Sequence, residues 1–204
     1  MSISAVITGD IVNSTLLVSP AIEKKLITQL SAVLKEHKFE FYRGDSFQAY
    51  IRNPDEALEL VFQLRAIARS FSFIHDVRAS IGIGKAATPV RNLRTATSEA
   101  FILSGRSFDR LGDEIRLSIE SPDPEANTAF RVIASYADFI SKRLTSKQAE
   151  VVSELLKEHT QTETAKKLKK AQATVNKHAQ AAGWSEIEKL IYEYKQVIHQ
   201  LISS

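Results

Sequence analysis

The sequence predicts an α+β protein in which a mainly antiparallel sheet domain is followed by an all-α domain. Three observations carry this. As far as Ile119, short strand-like runs alternate with amphipathic stretches in the order β, α, β, β, α, β, α, β. The segment Ser121-Pro122-Asp123-Pro124 then fits neither regular structure, because each proline fixes φ and removes a backbone donor. From Asn127 onward no strand pattern returns. The expected division is a sheet domain over 1–122 and a helical domain over 123–204, with the helices of the first covering one face of its sheet.

Each element has its own local cause. Ser4 to Thr8 and Lys38 to Tyr42 are apolar-rich runs that end in Gly9-Asp10 and Gly44-Asp45, and both read as strands stopped by a turn. Phe47 to Ile51 is the return strand of a hairpin with Gly44-Asp45 at its tip. Ile22, Leu26, Leu30 and Val33 recur at helical spacing behind Ser19-Pro20, a cap followed by a first-turn proline. Asn53-Pro54-Asp55-Glu56 opens a second helix that buries Ala57, Leu60, Val61, Leu64 and Ala68. Val77 to Gly84 alternates as a half-buried strand does, Thr97 to Leu111 is helical, and Glu114 to Ile119 closes the sheet.

Composition narrows the function classes. The 204 residues include no cysteine, which excludes disulfide and thiolate chemistry, and the five histidines show no zinc-binding spacing. No apolar run is long enough to span a bilayer, and the start MSISAVITGD lacks a signal-peptide pattern, so a cytoplasmic protein with no membrane partner is expected. A net charge of +3 says little by itself.

The two Gly-Asp motifs are the first candidate chemistry. If the first strand pairs beside the hairpin, Asp10 and Asp45 come together, and two close carboxylates raise each other's pKa unless a cation lies between them. Mg²⁺ takes one or two carboxylates and completes its shell with water and phosphate oxygens. The competing reading makes each motif a simple turn, since Asp bonds its own backbone there. Gly82 and Gly84 lack the third glycine of a dinucleotide fingerprint and are expected to let the backbone pass close to the acid pair. Arg43-Gly44-Asp45 spells an adhesion tripeptide, but nothing signals export.

GDIVNST at Gly9 to Thr15, GDSFQ at Gly44 to Gln48, RASIGIG at Arg78 to Gly84 and AFILSGR at Ala100 to Arg106 together resemble the SatD family of bacterial proteins. More distantly they are similar to the palm of class III nucleotidyl cyclases. The resemblance implies a ferredoxin-like palm with Asp10 and Asp45 at the metal-binding positions for Mg²⁺ or Mn²⁺. It also implies a nucleotide phosphate site at Ile11, Gly44 and Arg106, Ile11 offering only its carbonyl. Arg106 as a plain surface cation on an amphipathic helix is the other reading. Cyclases carry a base-reading lysine where this chain has Phe41 and an asparagine where it has Ile102, so the resemblance implies binding rather than cyclisation. A nucleotidyl cyclase or nucleotidyltransferase with a helical accessory domain is the alternative.

The helical part carries a second candidate site. Leu144-Thr145-Ser146-Lys147-Gln148 contains a Thr-x-x-Gln capping box, Thr162 to Ala165 begins a short helix, and a third follows from Gln172 with Val175, Ala179 and Ala182 inward. This is the layout of a helix-turn-helix over about 144–183, and it resembles the DNA-binding domains of LuxR-type and sigma-region-4 proteins. Gln172 and Asn176 have amides able to pair with adenine, Thr174 and Lys177 lie on the same outward face, and Lys169 and Lys170, with Lys166 and Lys167, can reach phosphates. A three-helix bundle for protein contacts is the competing reading. A final helix over 185–202 opens at Ser185-Glu186-Ile187-Glu188, and its stripe of Ile187, Leu190 or Ile191, Tyr194, Ile198 and Leu201 either packs on the domain or forms a homodimer. The expected function is a DNA-binding transcriptional regulator with a nucleotide- or metal-binding palm as sensor.

Overall fold

The computed structural model describes residues 2–17, 19–87 and 89–203. Five strands form one mixed sheet in the order β2-β3-β1-β4-β5: β1 Ser2–Val12, β2 Lys38–Tyr42, β3 Ser46–Ile51, β4 Asp76–Ala86 and β5 Leu117–Glu120. All pairs are antiparallel except β4 with β5. The helices are α1 Pro20–Leu34, α2 Ala57–Phe71, α3 Glu99–Asp109, α4 Pro124–Arg143, α5 Ser146–Leu155, α6 Gln161–Leu168, α7 Gln172–Ala181 and α8 Trp184–Ser203. An α+β protein with a sheet followed by helices is thus what the chain forms.

Helices lie on both faces of the sheet, not one. Ala5, Ile7 and Ile11 of β1 pack with Ile81 and Ile83 against α1, α2 and α4, whereas Val6, Tyr50 and Ala86 pack against Ala100 and Phe101 of α3. The cause is the parallel pair: parallel neighbours require a crossover, and α3 makes it over the remaining face. Gly82 and Gly84 allow the close approach. A Cβ on Gly82 would lie 2.3 Å from the carbonyl oxygen of Ala100 and from the amide of Ser104. These glycines therefore serve the helix and not the acid pair.

Gly9-Asp10 does not stop β1 either; the strand runs on to Val12, and Asp10 pairs in register with Ser46 and Arg78. A Cβ at Gly9 would stand 2.7 Å from the Phe47 ring and 2.8 Å from the carbonyl oxygen of Arg78. Gly9 is a packing glycine inside a strand.

Pro124, read as a breaker, is the first residue of α4. Asp123 caps that helix by accepting from the amides of Glu125 and Ala126 at 2.7 and 2.9 Å. Two other starts shift in the same way. Thr160, not Thr162, caps α6 in a reciprocal box with Glu163. α8 begins at Trp184 because Gly183, at φ 72, closes α7 and its carbonyl already accepts from the Ile187 amide, so Ser185 lies within the first turn.

One apolar cluster spans both sides of the Ser121–Pro124 segment. It joins Ile7, Leu26, Leu58 and Ile81 to Phe130, Ile133 and Ala137 of α4, Val152 of α5, and Ile187, Tyr194 and Ile198 of α8. The stripe of α8 is therefore buried within the chain, and the Tyr194 hydroxyl donates to the carbonyl of Pro54 at 2.9 Å. Burial pushes the pKa of that phenol well up.

An ionic network is set into the same core. Arg65 of α2 is 1% exposed; its Nε and Nη2 each donate to Asp76 at 2.9 Å, and Nη1 lies 2.9 Å from Asp138 of α4. Arg116 Nη1 also donates to Asp76, at 2.9 Å, and Arg69 donates to the carbonyls of Lys142 and Leu144 at the end of α4. The network ties α2, β4 and α4 into one unit.

Candidate functional site

The two Gly-Asp motifs are brought together. β1 and β3 pair so that Asp10 faces Ser46, and the amide of Ile11 donates to the carbonyl of Asp45 at 3.1 Å. Both acids line an open, polar cleft of about 470 Å³ with Asn13, Ser14, Thr15, Asp113, Arg78 and Arg116. The hairpin reverses through Arg43 at φ 56 and Gly44 at φ 88; a Cβ on Gly44 would meet nothing within 4 Å, so only its backbone conformation calls for glycine.

Each carboxylate already has partners. Arg78, opposite Asp10 on β4, donates from Nε to Oδ1 at 3.2 Å and from Nη2 to Oδ2 at 2.6 Å, a fork on a carboxylate. The Phe108 ring of α3 lies 4.9 Å from the guanidinium carbon. Hydrogen bonding to Asp10 is the main cause that raises the Arg78 pKa above its ordinary value, against burial. Asp45 accepts from the hydroxyl of Ser14 at 2.7 Å and of Ser46 at 3.4 Å.

The positive group between the strands is thus a guanidinium. The residues do not fit a resident Mg²⁺ or Mn²⁺ as they stand, since both oxygens of Asp10 accept from Arg78. Among the described residues no three His, Cys, Asp or Glu side chains are grouped to hold a metal ion. This arrangement is testable. Arg78→Ala is expected to leave Asp10 unpaired beside Asp45, so that Mn²⁺ raises the melting temperature of the variant and leaves that of the wild type unchanged. An equal response in both proteins would show that metal reaches the acids past the guanidinium.

The residues expected to bind a phosphate are not all brought to the cleft. Ile11 does line the cleft although its side chain is buried in the apolar cluster, whereas Gly44 sits at the hairpin tip outside the lining. Arg106 stands exposed on α3, because it falls midway between the inward Ser104 and Phe108. Phe41 packs on Phe47 and Phe39, and Ile102 is exposed; neither lines the cleft. Sequence reasoning missed Arg78, Arg116 and Ser14. The alternation Val77-Arg78-Ala79-Ser80 set Arg78 on a definite face, but its meeting with Asp10 needed the register.

The α5–α7 helices form a small unit with its own apolar centre of Val151, Leu155, Ala165, Val175 and Ala179. Thr145 and Gln148 close the expected capping box on α5. The turn between α6 and α7 runs through Lys169 at φ 53, with the Lys170 amide donating to the carbonyl of Ala165 at 2.9 Å. A side chain in that left-handed position costs roughly 1 kcal/mol against glycine. Ala171 precedes α7 without a side-chain cap.

Gln172, Thr174, Asn176 and Lys177 are all exposed on α7, and Lys169 is exposed beside them. Lys170 is half-buried and pairs with Glu150 at 2.6 Å, while Lys167 pairs with Glu154 at 2.9 Å. Burial raises the pKa of Glu154, and Lys157 and Lys167 outweigh it, holding that acid below its ordinary range. From Thr164 to Ser185 the chain has no acidic residue at all. That acid-free span was a signal available in the sequence.

No protein-family model matches the chain, and no curated protein matches its sequence significantly. No helix among the described residues is long and apolar enough to cross a membrane.

Proposed function

We propose that the chain is a DNA-binding transcriptional regulator of the SatD type, in which α5–α7 act as a helix-turn-helix and the N-terminal sheet acts as a ferredoxin-like palm that senses a nucleotide. The observation that carries this reading is the exposed α7 face of Gln172, Thr174, Asn176 and Lys177 inside an acid-free span. Base edges in the major groove are read by amides and hydroxyls, and phosphates are held by unpaired lysines. Lys169 and Lys177 form no salt bridge among the described residues, whereas Lys166 acts on Glu163 and Lys167 and Lys170 are engaged on α5. Keeping lysine at the strained turn position 169 also favours a use for its charge.

The palm reading is supported by the antiparallel order β2-β3-β1-β4 built from a β-α-β-β-α-β succession. Its ligand would be an anion: Arg116 lines the cleft, and only one of its side-chain nitrogens donates to Asp76. Arg116 also links the cleft to the helices, because its amide donates to Asp138 of α4 at 3.2 Å and Asp76 lies 3.6 Å from Arg69, which holds the Leu144 carbonyl just before α5. A phosphate on Arg116 would compete with Asp76 and so bias the join.

Fluorescence anisotropy with duplex DNA over a salt series tests the proposal. Lys169→Gln with Lys177→Gln is expected to weaken binding about tenfold at moderate salt and to reduce the salt slope by about 0.9 for each phosphate no longer neutralised. DNA affinity that is absent at low salt, or unchanged in this variant, would overturn it. Nucleoside triphosphates should shift that affinity in the wild type and not in Arg116→Gln.

A further inference from the structure

The apolar stripe left open by the fold is on α4, not on α8. Val132, Tyr136 and Phe139 are 67%, 45% and 54% exposed and succeed one another at four and three residues, the spacing of a helix–helix seam. With Thr128, Arg131 and Ser135 they line a shallow groove formed by α4 alone. Tyr136 and Phe139 stack with centroids 6.1 Å apart, and the Arg143 guanidinium lies 5.1 Å from the Phe139 ring. Single exposed apolar residues are ordinary, but a contiguous aromatic patch of this kind marks an interaction surface.

We infer that this face of α4 is the contact of a symmetric homodimer, in which α4 crosses its own copy antiparallel about a two-fold axis between Ser135 and Tyr136. The stripe is self-complementary under that operation. Val132 falls opposite Phe139 of the partner subunit, and Phe139 opposite Val132 of the partner subunit, as an isologous interface demands. The charges agree: α4 carries Glu125 in its first turn and Arg143 in its last, beside Lys142, which is engaged by Asp138 of its own chain. An antiparallel crossing therefore brings the basic end of each helix to within about one turn of the acidic end of the other. The opposed helix dipoles favour the same orientation and disfavour a parallel one. A foreign partner helix would need to match both the aromatic stripe and the charge gradient, and a second copy does so by construction.

The chain has no cysteine, so a single introduced thiol reports its neighbour without ambiguity. Ser135→Cys is expected to form a disulfide-linked dimer under mild oxidation, while Lys189→Cys on the exposed side of α8 is expected to stay monomeric. Sedimentation of the cysteine-free protein should show a concentration-dependent dimer, abolished in Tyr136→Glu with Phe139→Glu. Both substituted positions are exposed, and an unchanged melting temperature would show that the variant remains folded. A wild type that is monomeric up to millimolar concentration, a dimer that survives the double variant, or equal cross-linking at the two cysteine positions would each overturn the inference. A double variant that melts early leaves the decision to the cysteine pair.

Discussion

Asp76→Ala is expected to destabilise the protein by about 3–5 kcal/mol in chemical denaturation, because removing one partner of a buried charge network leaves the others uncompensated. Asp76 is fully buried, and Arg65 and Arg116 both donate to it, with Arg69 at 3.6 Å. Without the carboxylate, Arg65 keeps only Asp138 and Arg69 loses its acid. Substituting the pair instead, Arg65→Met with Asp76→Leu, should cost less than the single change, since the most deeply buried cation leaves with its acid, while Asp138 keeps Lys142 and Arg69 keeps the carbonyls of Lys142 and Leu144. Equal losses would mean that packing, not charge, governs the site.

The same residue sets a pH window. Burial pushes the Asp76 pKa up, and Arg65, Arg116 and Arg69 together outweigh that effect, so the folded value lies below the ordinary 3.8. A depressed folded pKa contributes stability that is complete above the unfolded value and is lost as pH falls through the folded one. Wild-type stability should therefore drop on acidification below 3.8, and Asp76→Asn should flatten that part of the profile while lowering stability at neutral pH. An unchanged acid limb in Asp76→Asn would assign acid unfolding to other carboxylates.

Gly82→Ala is expected to cost about 3 kcal/mol, the upper end of the range for overpacking. Its Cβ would meet two backbone atoms of α3 at 2.3 Å, and neither can step aside without lifting the helix. Gly84→Ala should cost less, because its two nearest neighbours are atoms of the Glu99 side chain at 2.8 and 2.9 Å and the α3 backbone comes only to 3.2 Å. The damage at Gly82 should also reach the cleft, since α3 carries the Phe108 that backs Arg78. Thermal melts of the two variants decide it; similar melting points would show that α3 moves freely on the sheet.

Local signals in the chain were enough for most elements. The hairpin, α2 and the α5 capping box follow from turn chemistry, from Asn53-Pro54 and from Thr145 with Gln148, all of which act over a few residues. The outward face of α7 was legible for the same reason: periodicity alone puts Val175 and Ala179 inside and Asn176 and Lys177 outside. Gly9 and Pro124 misled because their local preferences fit a turn, whereas their neighbours in space, Phe47 and Arg78 for one and the Asp123 cap for the other, made them strand and helix.

Amino-acid order by itself determined the α+β class and the helical C-terminal part, because propensity, periodicity and turn chemistry are short-range. Tertiary structure decided that Arg78 occupies the gap beside Asp10, that Arg65 and Asp76 lock α4 to the sheet, and that α8 buries its stripe while α4 leaves its own open. Each of these joins residues far apart in the chain, and such a meeting depends on strand register and on which helix reaches a face first.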